Sequence, residues 1–146
     1  MKINEIILRG DITNIESGII VHQVNLRGSM GAGIALAIAN KYPTVKSRYL
    51  SWYKQAKLGD VQFVEIDEKL IICNLAGQLD YGPNKVQTDY EAYEKAIPTI
   101  KKYSTERRLK VYIPYLIGAG LAAGDKIIIH KIIKKHKLNP IFVVYK

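Results

Sequence analysis

The 146-residue sequence contains one cysteine, three scattered histidines and no long apolar run. Each scarcity excludes something. A lone Cys73 closes no intramolecular disulfide, and within LIICNLA it reads as a buried packing residue. Three distant histidines without cysteine partners have no metal-ligand spacing, so no metal and no cofactor is implied. No stretch approaches the roughly 18 apolar residues of a membrane span. Met1 to Arg9 also lacks the apolar centre of a signal peptide, so a cytoplasmic protein with no membrane partner is expected. Acid is scarce too: 13 Asp and Glu against 22 Lys and Arg leave a net charge of +9.

Much of that charge lies in KKYSTERRLK (101–110) and HKIIKKHK (130–137). Solvated helix faces account for it. Nucleic acid is a conceivable partner but not the favoured one, because aromatic residues are not interleaved as a stacking platform requires. With 48% hydrophobic residues, and neither repeats nor linker-like tracts, the chain 1–146 is expected to be a single domain with its own core, and a monomer.

What is present is alternation. Lys2 to Leu8 and GIIVHQV (18–24) read as strands. A helical pattern from Gly31 to Tyr42 ends at Pro43 and, being apolar nearly all round, is expected to be sandwiched. A second helix is expected from Thr44 to Lys57. DVQFVEI (60–66) and KLIICNLA (69–76) read as strands joined by a turn at Asp67-Glu68. The helix from Thr88 to Tyr103 should be kinked or split at Pro98. LKVYIPYL (109–116) is a strand, KIIIHKIIKKH (126–136) a helix, and PIFVVY (140–145) a strand. The expected fold is α/β: three α/β/α layers around a mixed sheet of about six strands, with ligands beyond the carboxyl ends of the strands.

Two glycine-rich stretches, NLRGSMGAG (25–33) and IGAGLAAGD (117–125), each follow a strand and precede a helix. Unpaired amides and the positive end of a helix dipole lie in that position, and glycine lets an anion reach them. Familiar anion loops fit poorly. Neither stretch holds the Gly-Lys-Ser/Thr of a nucleoside-triphosphate loop, and no acidic residue follows Asp125 to hold a dinucleotide ribose. RGSMG has Arg27 where a nucleophile elbow begins with glycine.

Together, RGDIT (9–13), VHQVN with MGAGIA (21–35) and IPYLIGAGLAAGD (113–125) resemble a macrodomain over essentially the whole chain. His22, Asn25, GSMGAGIA, AGQLDYG and TDYEAY are most similar to the small ADP-ribose 1″-phosphate phosphatases of the yeast and phage type. The resemblance implies a three-layer macrodomain-like fold and binding of ADP-ribose or its 1″-phosphate. Asp11, with Ile12 beside it, would receive the adenine amine, and Tyr145 would line the adenine pocket. Gly118, Ala119, Gly120 and Leu121 would wrap the diphosphate. Asn25 with Gly31, Ala32, Gly33, Ile34 and Ala35 would hold the distal ribose. His22 would serve as acid or base and Asp80 as a water activator, with Asn25 beside them.

Bland readings stand beside these. Asp11 and Asp125 suit turn and helix caps, Asn25 suits a self-satisfied loop, and His22 suits a buried imidazole in an apolar strand. A phosphatase is expected first. The alternatives are a non-catalytic ADP-ribose-binding module and a hydrolase removing ADP-ribose from protein or nucleic acid. The latter branch uses a lysine where Gln78 or a neighbour stands and an acid where Ala122 stands.

Overall fold

The structure, a computed structural model, describes residues 5–145. Six strands form one sheet: β1 (Ile6–Arg9), β2 (Gly18–Val24), β3 (Val61–Glu65), β4 (Leu70–Ala76), β5 (Val111–Pro114) and β6 (Ile141–Val144). Their order is β1-β6-β5-β2-β4-β3, all parallel except β3, which runs antiparallel to β4. The mixed α/β sheet is the one expected. Of the strand read from Lys2 to Leu8, residues 2–4 lie outside the described residues.

Period-two alternation sorts β2 between two cores. Ile19 and Val21 pack under α3 (Tyr90–Arg107) and α4 (Lys126–Lys135), against Tyr93, Ile97, Ile129 and Ile133. Ile20 and Val24 pack under α1 (Gly33–Lys41) and α2 (Pro43–Leu50), against Ile38, Val45 and Tyr49. Each sheet face is thereby covered, giving three layers. Free Cys73 is fully buried in the first of these cores. Among the described residues no helix is long and apolar enough to cross a membrane.

Three expectations need correction. First, α1 starts at Gly33 and is not sandwiched: only Ile38 and Ala39 are buried, while Ile34 and Leu36 are 38% and 40% exposed. Its apolar first turns border a cleft instead of a second layer. Second, α2 spans only Pro43–Leu50, with proline at its start where a missing N–H costs nothing; turns follow it. Third, Pro98 does not split α3, which runs unbroken through it. Pro98 faces solvent while Ala96, Ile97 and Ile100 are buried around it, so packing outweighs one lost backbone hydrogen bond.

The topology places the site. β2 and β5 are neighbours, yet the chain leaves β2 toward the α1 face and leaves β5 toward the α4 face. A crevice opens where connections diverge to opposite faces beyond the carboxyl ends of adjacent strands. The two glycine-rich stretches are those two connections.

Candidate functional site

A cleft of about 1200 Å³ occupies this crevice. Its walls carry Asp11 and Ile12 after β1, His22 to Val24 on β2, Asn25 just after it, and Gly31 to Ala35 of the first glycine loop. Tyr115 to Gly118, Gly120 to Ala122 and Tyr145 line it too, with Gln78 and Tyr81 to Pro83 from the segment after β4. Of the residues expected at a site, Asp80 and Ala119 do not line the cleft. Asp80 is half exposed, 3.6 Å from Arg27 Nε, and accepts the Tyr81 N–H, so nothing directs it to water in the cleft. The Ala119 amide donates to Leu116 O (2.8 Å), which takes it from any diphosphate.

The first loop is shaped by side chains. Asn25 Oδ1 accepts from the N–H groups of Arg27 (3.0 Å) and Ser29 (3.3 Å), and its Nδ2 donates to Ser29 O (2.8 Å). One amide hydrogen of Asn25 is left for a ligand. Buried Tyr49 reaches up from α2: its hydroxyl sits 2.6 Å from Asn25 O and 2.9 Å from Asn25 Oδ1, and accepts the Gly28 N–H at 3.1 Å. Burial raises that phenol to a pKa of about 12. Met30 plugs the loop into the core beneath α1. At the end of the loop Ala32 provides α1 with no side-chain cap. Gly33 holds φ +57 there, a conformation that favours glycine. The N–H groups of Ala32 to Ala35 find no acceptor within the described residues.

The second loop is shaped from beneath. Gln23, the last polar residue of β2, points to the α3 side. It accepts from Tyr93 Oη (2.6 Å) and donates to Gln78 Oε1 (2.7 Å) and Thr88 Oγ1 (3.1 Å); Thr88 in turn donates to Gly118 O (2.6 Å). A Cβ on Gly118 would lie 2.8 Å from Gln23 Oε1, and one on Gly124 would lie 2.5 Å from Gly118 O. Asp125 is the N-cap of α4, accepting from Ile127 N at 2.8 Å. Gly118, Gly120, Leu121 and Ala122 keep N–H groups that no described residue accepts. Leu121 spans the gap between the loops: its Cδ1 lies 3.5 Å from where a Gly33 Cβ would stand.

From sequence alone Gln23, Tyr49 and Thr88 have no expected role at a site. The adjacent polar pair His22-Gln23 near the end of an apolar strand was the available signal, since polar neighbours facing opposite sides of a covered sheet each require a partner.

Asp11 caps the turn Ile12–Asn14: its Oδ1 accepts from the Thr13 N–H (2.9 Å) and hydroxyl (2.7 Å). Those bonds hold its carboxyl below the usual carboxylate range. Its Oδ2 has no partner among the described residues. His22 is buried and pairs through Nε2 with Asn74 Oδ1 at 2.5 Å. Burial drives its pKa down to about 4, so the ring is neutral at neutral pH. Gln78 carries no charge, and its amide is spent on Gln23 and Asp80 O. Among the described residues, no lysine or arginine lines the cleft.

No protein-family model matches the sequence, and no curated protein does. Solved structures do match. A Bacteroides thetaiotaomicron protein of unknown function superposes with a TM-score of 0.84 at 29% identity, covering 97% of each chain. A Streptomyces coelicolor macrodomain protein does so at 0.80 and 25% identity, over 98% of this chain and 99% of that one. The chain has a macrodomain fold. A Trypanosoma brucei macrodomain solved in complex with ADP-ribose shares that fold at a TM-score of 0.72 and 13% identity, over 95% of this chain and 62% of its own. As the strand order requires, the cleft lies beyond the carboxyl ends of β1, β6, β5 and β2.

Proposed function

We propose that this protein binds ADP-ribose in the cleft. One observation carries the reading: two arcs of backbone amides without partners among the described residues, at Ala32 to Ala35 and around Gly120, border a cleft that no described lysine or arginine lines. Such a surface suits a diphosphate, whose oxygens take N–H donors from both sides while the α1 dipole adds its positive end. At one end, the free oxygen of Asp11 suits the exocyclic amine of a purine, with Ile12 and the exposed ring of Tyr145 flanking it. At the other, the remaining Asn25 amide hydrogen and the first loop suit sugar hydroxyls. The ADP-ribose complex of the Trypanosoma brucei macrodomain supports the same ligand.

Calorimetric titration with ADP-ribose tests it. One site per chain is expected, with affinity falling only weakly between low and high salt, because amides rather than lysines hold the anion. Absence of heat at millimolar ADP-ribose, with salt-sensitive binding of nucleic acid instead, would overturn it.

A second reading, hydrolysis of ADP-ribose 1″-phosphate, is favoured by His22, a residue of the cleft wall whose Nδ1 has no hydrogen-bond partner among the described residues. A neutral imidazole can take a proton from an attacking water. Phosphorus NMR of the protein with ADP-ribose 1″-phosphate decides between them. Growth of inorganic phosphate, lost in His22→Ala, establishes the phosphatase; shifted diphosphate signals without it establish a binding module.

A further inference from the structure

The second glycine loop is tied to a neighbouring segment at both ends. Gly118 O accepts from the Thr88 hydroxyl (2.6 Å) and from the Gly124 N–H (2.7 Å). Ala122 O accepts from the N–H groups of Gln87 (2.8 Å) and Thr88 (3.4 Å). Between these two anchored carbonyls lie Gly120 and Leu121, whose amides meet no acceptor among the described residues. Ala123 holds φ +60, which side chains disfavour, so the anchors impose a shape that the local sequence alone would not choose. Thr88 is 7% exposed and does not itself line the cleft.

The direction of the Thr88 hydroxyl is set from a distance. Gln78 Nε2 donates to Asp80 O (2.7 Å), a carbonyl that can only accept, so Gln78 Oε1 accepts from Gln23 Nε2 (2.7 Å). Gln23 Nε2 also donates to Thr88 Oγ1 (3.1 Å), while Gln23 Oε1 accepts from the Tyr93 hydroxyl (2.6 Å). Thr88 thus receives one hydrogen and spends its own on Gly118 O. We infer that Thr88 is a positioning residue for the diphosphate: its hydroxyl, aimed by Gln23, holds the amides of the second loop ready for the anion without touching it. The inference rests on the ADP-ribose reading. Donors fixed before the ligand arrives need no ordering when it binds, and affinity gains by that amount.

The test is a 1H–15N NMR titration of the wild type, Thr88→Val and Thr88→Ser with ADP-ribose. In the wild type, saturation should move the amides of Ala32 to Ala35 and those of Gly120 to Ala122. Thr88→Val keeps the side chain's shape and loses its hydroxyl. It should bind ADP-ribose about tenfold more weakly, the worth of roughly one hydrogen bond, with less movement at Gly120 to Ala122 and full movement at Ala32 to Ala35. Thr88→Ser, which keeps the hydroxyl, should restore both. Should Thr88→Val not fold, Thr88→Ala removes the same hydroxyl without crowding and is read the same way. Unchanged affinity in Thr88→Val, an equal reduction at both loops, or a Thr88→Ser as weak as Thr88→Val overturns the inference and spares the ADP-ribose reading. Wild-type binding that leaves Gly120 to Ala122 unmoved does the same. A wild type that does not bind ADP-ribose overturns both.

Discussion

The loop from Asn25 to Gly33 and the loop from Ile117 to Asp125 leave neighbouring strands and border one cleft, yet their glycines answer to different forces. In the first, side chains do the shaping: Asn25 folds back on Arg27 and Ser29, and Tyr49 anchors both Asn25 and Gly28. Its Gly31 has only Ser29 Oγ near a notional Cβ, at 3.4 Å. Gly28 is the exception there, since a Cβ on it would lie 2.7 Å from the Tyr53 ring; in the second loop the protein's own atoms claim the missing side-chain space at two glycines. Gly118 is pressed by Gln23, Ile129 and Thr88, and Gly124 by Gly118 O and Thr88. The helix ends differ likewise. α4 is capped by Asp125, whereas α1 begins without a side-chain cap and keeps its amides for the cleft. A glycine-rich loop is therefore no single signal: some glycines make room for a ligand and others for the fold.

The contrast is tested most severely by Gly118→Ala. The new methyl would stand 2.8 Å from Gln23 Oε1 and 3.0 Å from Ile129 Cδ1, at a φ of +68 that disfavours side chains. A loss of about 2–3 kcal/mol is expected from urea unfolding. The matching Gly31→Ala should cost under about 0.5 kcal/mol. Equal losses at the two positions would erase the distinction between the loops.

Next in size is Tyr49→Phe. It removes the hydroxyl that joins Asn25 to Gly28 and leaves the buried Asn25 carbonyl without that donor. About 1–2 kcal/mol should be lost, with faster amide exchange at Gly28 and none of that acceleration at Gly118 or Gly124. Acceleration spread equally over both loops would show that they are one cooperative unit.

Much of this architecture is legible in the sequence, because strands and helices carry different periods. The strand read as Gly18 to Val24 spans Gly18–Val24 in the structure. Six strands are expected and six are found. The failures share a cause. An apolar helical face such as Ile34, Ala35 and Leu36 looks the same in sequence whether it meets a core or a cleft. Pro98 breaks helices in isolation, but here β2, β4 and α4, distant in sequence, hold α3 together through tertiary packing. At the site, positions adjacent to the strand ends are legible: Asp11, His22, Asn25, Gly31 to Ala35, Gly118, Gly120, Leu121 and Tyr145 all reach the cleft. Asp80 also follows a strand end, that of β4, but its loop turns it to Arg27, and the Gln23–Thr88–Gly118 chain joins residues 65 and 30 positions apart. Pairings over such distances depend on strand order, which no local pattern reports.

Gly120→Ala has the smallest effect on folding and separates the two roles of glycine within one loop. Nothing lies within 4 Å of a Cβ built there, and its φ is not in the left-handed region. Unfolding free energy should therefore stay within about 0.5 kcal/mol of wild type. The added methyl would nevertheless stand on the cleft wall among the free amides of the second loop. A diphosphate seated there would be pushed off those donors, and affinity for ADP-ribose should drop about tenfold, the loss of roughly one hydrogen bond. Gly118→Ala combines lost stability with lost binding, so it cannot say which comes first; Gly120→Ala can. If stability and affinity are both unchanged, the diphosphate does not lie on the second loop, and the anion belongs wholly to the uncapped start of α1. If stability falls instead, Gly120 belongs with Gly118 among the glycines the fold requires.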